Sequence, residues 1–188
     1  DHNLCSDDSC DVKLGCVHKK NSHPAFKSLT DTATSNSGLW ALTATNKQVK
    51  WTFKGSYYEM LGSLNATQRM TLKSILDLSC ATAPTLYYEE RYYSGNQVVE
   101  VSLDGSVWTT VKTRTSASDY VWRPREVDLS GYVGKKIYLR FSTSPSNSTF
   151  WWNLRRFEVR EKKPAPKLVT WGAKVTCADV ITEGPSFK

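Results

Sequence analysis

Glu89 and Glu90 are the adjacent pair in this chain whose side chains could first be suspected of chemistry. Two carboxylates hydrolyse a glycosidic bond when they face each other across roughly 5–10 Å. The pair lies inside Leu86–Tyr93 (LYYEERYY), a β-prone run in which neighbouring side chains point to opposite faces. The two acids therefore cannot close on one bond by themselves; Glu100, Glu126 or Glu158 could join from other strands, but nothing in their spacing demands it. Histidine chemistry is no better placed. His2, His18 and His23 all fall in the first 24 residues, away from the β-rich body where a nucleophile and its base would have to meet. Cys5, Cys10, Cys16 and His18 are separated by four, five and one residues, not by the two-residue step usual at zinc. No glycine loop is built to cradle a phosphate. The chain is read as having no catalytic residues, no resident cofactor and no enzymatic activity. Oxygen-bearing residues do crowd the same N-terminal segment, and Asp7, Asp8 and Asp11 could hold calcium there. A solvated polar arm is the plainer reading of them.

The stronger signal is aromatic. Doubled rings recur at Tyr57-Tyr58, Tyr87-Tyr88, Tyr92-Tyr93 and Trp151-Trp152 on β-prone runs. Period-two geometry sends one member of each pair inward and the other outward. Outward rings on a sheet can stack on sugars or anchor a protein interface, and arginines on the same face can stack on them. The candidate binding face drawn from this pattern comprises Tyr88, Arg91, Tyr93, Arg140, Trp152 and Arg155. The plain alternative buries both members of each pair, one in the core and one under the flanking segments 25–63 or 168–181.

Composition narrows the partner. The 188 residues carry 25 Lys+Arg against 18 Asp+Glu, a formal charge of +7. The basic residues are scattered as Lys19-Lys20, Lys135-Lys136, Arg155-Arg156 and Lys162-Lys163, with no basic run or helix, so nucleic acid is not the expected partner. No stretch approaches the ~18 apolar residues of a membrane span, and Asp1 is not followed by a charged and then apolar leader. Five cysteines (Cys5, Cys10, Cys16, Cys80, Cys177) and the sequons at Asn65 and Asn147 point to an oxidising, extracellular setting with disulfides and N-linked glycans. Five is odd, so one thiol is free or pairs outside the chain.

Residues 1–24 are polar and cysteine-rich without apolar period, and are expected to form a disulfide-stapled loop or arm. Residues 25–161 contain Leu39–Ala44, Val49–Phe53, Gln97–Leu103, Val107–Lys112, Arg125–Leu129, Lys136–Ser142 and Phe150–Glu161, with an Asp104-Gly105 turn. Turn signals every ~8–12 residues mark an all-β antiparallel sandwich. Residues 162–188 begin with the stiff connector KKPAPK and continue as a strand-like tail, Leu168–Ile181, able to add to its own sheet edge or a neighbour's.

The runs ILDLS (Ile75–Ser79), LYYEERYY, VEVSLDGSVW (Val99–Trp108), WRPREVDLSGYVGKKIYLRF (Trp122–Phe141) and WWNLRRFEV (Trp151–Val159) follow one another in an order and spacing that resembles the galactose-binding-like jelly-roll module of MAM-like, cleaved-adhesin and secreted-peptidase accessory domains. That resemblance covers about half the chain and implies a jelly-roll fold with an adhesive or accessory role. Where such modules often carry acids on the closing strand, this chain has Asn153-Leu154-Arg155-Arg156, which speaks against a cation there. LCSDDSCDVKLGCVH (Leu4–His18) is similar to a short cysteine repeat of extracellular matrix proteins, which implies a disulfide-stapled spacer. Together these readings expect a non-catalytic extracellular adhesion or structural module, associating with copies of itself or adjacent domains. The alternative is a glycan-binding accessory module of a secreted hydrolase.

Overall fold

The computed structural model describes residues 6–11, 15–20, 28–46, 51–62, 66–115, 118–143 and 150–162. Fourteen strands and one 3-10 turn (Ser130–Tyr132) account for the regular structure among them. The reason is visible in single runs. Lys136–Thr143 (KIYLRFST, β13) buries Ile137, Leu139 and Phe141 and turns Tyr138 and Arg140 outward, the period-two pattern of a half-buried strand.

One sheet is ordered β11 (Thr109–Thr115), β10 (Asn96–Ser102), β13, β7 (Gln68–Leu72) and β4 (Trp40–Ala44), with β8 (Leu76–Asp77) also on β13. The other is ordered β12 (Asp119–Asp128), β9 (Pro84–Tyr93), β14 (Phe150–Glu161), β6 (Tyr58–Gly62) and β5 (Trp51–Phe53), with β3 (Leu29–Asp31) also on β14. All pairings are antiparallel, and the two sheets face each other across one core, an all-β sandwich consistent with a jelly roll. The turn at Asp104-Gly105 joins β10 to β11 as the sequence expects. Asp104 holds it by accepting from the backbone N–H of Ser106 and Val107, each at 2.8 Å, which lowers its pKa far below the usual carboxylate range.

Phe141 lies at the centre of the core. Its ring stands 5.2 Å from Tyr88, 5.4 Å from Phe157, 5.7 Å from Trp152 and 5.8 Å from Trp40, mostly edge to face, so one side chain of the first sheet meets three of the second. Such pairs add ~0.5–1.5 kcal/mol each beyond the area they bury. Two buried carboxylates join the sheets at opposite edges. Asp31 on β3 accepts from Trp40 Nε1 on β4 at 2.8 Å and from Ser37 Oγ at 2.9 Å. Glu90 on β9 accepts from Trp152 Nε1 at 2.8 Å and Arg125 Nε at 2.5 Å, and pairs with Arg114 of β11. These acids are buried because each is paired or hydrogen-bonded on the spot.

The N-terminal segment departs from expectation. Ser6–Asp11 (β1) and Gly15–Lys20 (β2) form a two-stranded antiparallel ladder instead of a loop, with Cys10 opposite Cys16 in register. Apolar alternation reports a buried face, and a ladder outside the sandwich sheets has no need of one, so periodicity could not find it. The strand-like tail Leu168–Ile181 lies outside the described residues, as do Cys5 and Cys177.

Candidate binding face

The closing strand β14 decides which aromatics face out. Phe157 and Val159 point into the core, and strict alternation back from them would bury Trp151 and expose Trp152. The register instead shifts between Arg155 and Glu158, where Arg156 takes a positive φ of 55°, a β-bulge that reverses the phase. Trp152 is consequently inward and 1% exposed, while Trp151 is half-exposed on the outer face. This corrects the expectation for Trp152. Tyr88 is corrected likewise. It shares the inward phase of Leu86, Glu90 and Tyr92 on β9 and is 4% exposed, so burial raises its phenol pKa strongly. Arg140 is also misplaced in the sequence reading: it lies on the outer face of the opposite sheet, 3.9 Å from the Trp108 ring and 2.6 Å from Glu100. Arg91, Tyr93 and Arg155 do share the outer face of the second sheet.

That face is organised in rows across the strands. In one row Leu61 of β6 lies opposite Trp151 of β14, which lies opposite Tyr93 of β9. Tyr120 of β12 continues it, its ring 6.1 Å from Tyr93 and 5.8 Å from Trp151. Tyr120 and Leu61 are 61% and 54% exposed, an unusually open apolar strip for a sheet surface. The rings stand at 35° and 59° to one another, as sheet twist dictates, so they do not form one flat plane.

In the next row Arg91 lies opposite Asn153, and Asn153 opposite Glu59. The guanidinium carbon of Arg91 is 4.9 Å from the Trp122 ring centre, 5.3 Å from Tyr57 and 5.9 Å from Trp151. With the Asn153 amide turned to satisfy its neighbours, its oxygen accepts from Arg91 Nε at 3.1 Å and its nitrogen donates to the Trp152 carbonyl at 3.2 Å. Arg155 also lies over Trp122, its guanidinium carbon 4.1 Å from the ring centre, and donates to Glu89 at 2.7 Å, and Arg156 donates to the same carboxylate at 2.8 Å. Partial burial pushes the Glu89 pKa up, but the two guanidinium hydrogen bonds outweigh it and hold the carboxyl below its ordinary value.

Trp122, Tyr57, Tyr120, Trp151 and Asn153 were not among the residues the sequence picked out for this face. The adjacent Trp pair contained the signal for Trp151, but not its phase. Tyr57 precedes its strand, and Trp122 comes to Arg91 through the pairing of β12 on β9, which sets the adjacent Arg123 opposite Glu90. Arrangements of this kind bind, stack and donate hydrogen bonds. Among the described residues no group of three or more His, Cys, Asp or Glu is placed to hold a metal, and no helix is long and apolar enough to cross a membrane. The side chains of Asp7, Asp8 and Asp11, and both Asn65 and Asn147, lie outside the described residues. Cys80, in the turn after β8, is not a free thiol.

No protein-family model matches this chain, and no curated protein matches it. Solved structures do. The K1 cleaved adhesin domain of Lys-gingipain from Porphyromonas gingivalis W83 superposes with a TM-score of 0.53 at 17% identity, over 73% of this chain and 99% of that domain. The K2 cleaved adhesin domain of the same protein gives 0.51 at 17% identity, over 71% and 99%. A mutant family 29 carbohydrate-binding module complexed with mannohexaose gives 0.51 at 11% identity, over 71% and 90%. At these identities the likeness is one of fold: this chain has the sandwich found in cleaved adhesin domains and in carbohydrate-binding modules.

Proposed function

We propose that this chain is a non-catalytic adhesion module that works outside the cell and grips glycan with the outer face of its second sheet. The observation that carries the reading is the cluster of Arg91, Trp122, Trp151 and Tyr57 beside the open strip Leu61–Trp151–Tyr93–Tyr120. Sugar rings need apolar faces to stack on and fixed polar groups at their edges, and this face provides both. The strip crosses three strand spacings, about 14 Å, the length of a short oligosaccharide. Its twisted rings suit a single soluble chain more than a flat crystalline surface. The adhesin and carbohydrate-binding neighbours support the same class of role, and the sequons and cysteines support an extracellular, disulfide-bonded glycoprotein.

A second reading, association with copies of this chain or with adjacent domains, is favoured by the exposure of Tyr120 and Leu61, since a ring and an aliphatic side chain this open are typical interface anchors. The two readings separate in one pair of measurements. Tryptophan fluorescence titrated with gluco-, manno- and galacto-oligosaccharides should shift in the native chain and not in Trp151→Ala, while sedimentation reports a mass independent of concentration. A mass that rises with concentration, with no fluorescence response to any sugar, refutes the glycan reading in favour of self-association.

A further inference from the structure

The charges on this face are unbalanced in one place. Arg123, Arg125, Arg155, Arg156 and Arg160 of the second sheet each have a carboxylate within 3.1 Å. Arg91 has none among the described residues. Its Nε is committed to Asn153, and its two terminal nitrogens make no hydrogen bond within the described structure. Three rings, those of Trp122, Tyr57 and Trp151, surround it instead. Rings of this kind hold a guanidinium in one orientation and displace water from its sides, which strengthens its pull on an incoming anion. Arg155 and Arg156 add two further positive charges next to it and share a single carboxylate, Glu89. The cluster is therefore three guanidiniums to one carboxylate.

We infer that the ligand is an acidic saccharide and that Arg91 is its anion subsite, pairing with a hexuronate carboxylate. This rests on the glycan reading above and goes beyond it by assigning the chemical class. The planar, paired terminal nitrogens of an arginine match a planar carboxylate two for two. The neighbouring Trp151 and Tyr120 rings offer an apolar face for the sugar that carries the acid. Arg91 thus supplies specificity, and the aromatic strip supplies contact common to acidic and neutral sugars.

The test is isothermal titration of the full chain with hexuronate oligomers of the gluco, manno and galacto series, each against its neutral counterpart and a sulfated one. One acidic oligomer should bind about tenfold or more tighter than its neutral counterpart, the gain expected of a charge-assisted bidentate pair. That preference should shrink in concentrated sodium chloride. It should vanish in Arg91→Gln and survive in Arg140→Gln, which alters the opposite sheet. The salt series uses the unaltered chain, so the inference stays testable should Arg91→Gln fail to fold. Equal binding of acidic and neutral oligomers overturns the acidic subsite and leaves the glycan reading standing. A preference for the sulfated oligomers alone overturns the assignment of a carboxylate. Binding to none of the oligomers overturns both the subsite and the glycan reading.

Discussion

Replacing Glu90 by alanine should open one edge of the sandwich. Its carboxylate is fully buried and accepts from Trp152 Nε1 at 2.8 Å and from Arg125 Nε at 2.5 Å, while pairing with Arg114, which also donates to Tyr92 Oη at 2.7 Å. Arg114 comes from the edge strand of one sheet and Arg125 from the edge strand of the other, so the acid bridges two guanidiniums that would otherwise repel. Removing it leaves a core indole N–H without an acceptor, costing ~1–3 kcal/mol. It also strips a buried ion pair of one partner, costing ~3–5 kcal/mol where both charges are fully desolvated. Arg114 and Arg125 remain 19% and 26% exposed and can turn partly to water, so the lower end of each range applies. The combined loss is about 4 kcal/mol, a large share of the ~5–15 kcal/mol that holds a typical domain. Urea unfolding followed by tryptophan fluorescence should show the midpoint falling by about 2 M for an ordinary slope. Glu90→Gln, which keeps an acceptor for Trp152, should fall about half as far. Lys54→Ala, which removes an exposed ion pair with Glu59, should cost no more than ~1 kcal/mol. If Glu90→Ala unfolds at the same urea concentration as Lys54→Ala, the carboxylate does not hold this edge and the reasoning fails.

The phase of β14 gives a paired test: Trp152→Ala should destabilise by ~3–5 kcal/mol as a core cavity, and Trp151→Ala by under about 1 kcal/mol as a surface change, both read by urea midpoint, with the reverse ranking refuting the bulge at Arg156. Gly62→Ala would place a Cβ 2.1 Å from the buried Phe150 ring, so it should lose ~1–3 kcal/mol by overpacking, and Phe150→Leu in the same chain should recover part of that loss. Because the Glu89 pKa is lowered on folding, its contribution is present above the ordinary glutamate value of 4.5 and is lost as pH falls through the lower folded value. A urea-midpoint profile from neutral to acid pH should therefore lose less stability on acidification in Glu89→Gln than in the native chain, and identical profiles would refute the pairing. Five cysteines leave one without a partner inside the chain: if it links copies, intact mass measured without reductant exceeds that of one chain and falls to the single-chain mass on reduction, whereas a non-reduced monomer rules out covalent linkage between copies.

Much of the architecture was readable from alternation alone. KIYLRFST, VEVS and LYYEERYY show which segments are strands because half-buried strands must alternate, and the turn at Asp104-Gly105 is carried by local side-chain chemistry. Arg91, Tyr93 and Arg155 were placed on one outer face for the same reason. The N-terminal ladder was not readable, because a hairpin paired only with itself leaves no apolar signature. Neither was the partnership of Glu90 with Arg114 and Arg125, residues 24 and 35 positions away that meet only when the two sheets stack.

The sequence by itself determined that this chain is a sandwich with aromatics and arginines to spare on its surface, since composition and period-two patterning depend only on which residues must leave water. Tertiary structure alone decided which ring of each pair is the exposed one. A strand has two phases of equal local merit, and the choice between them rests on a single bulged residue, Arg156, and on the Phe141 cluster that accepts Trp152 and Tyr88 as its partners.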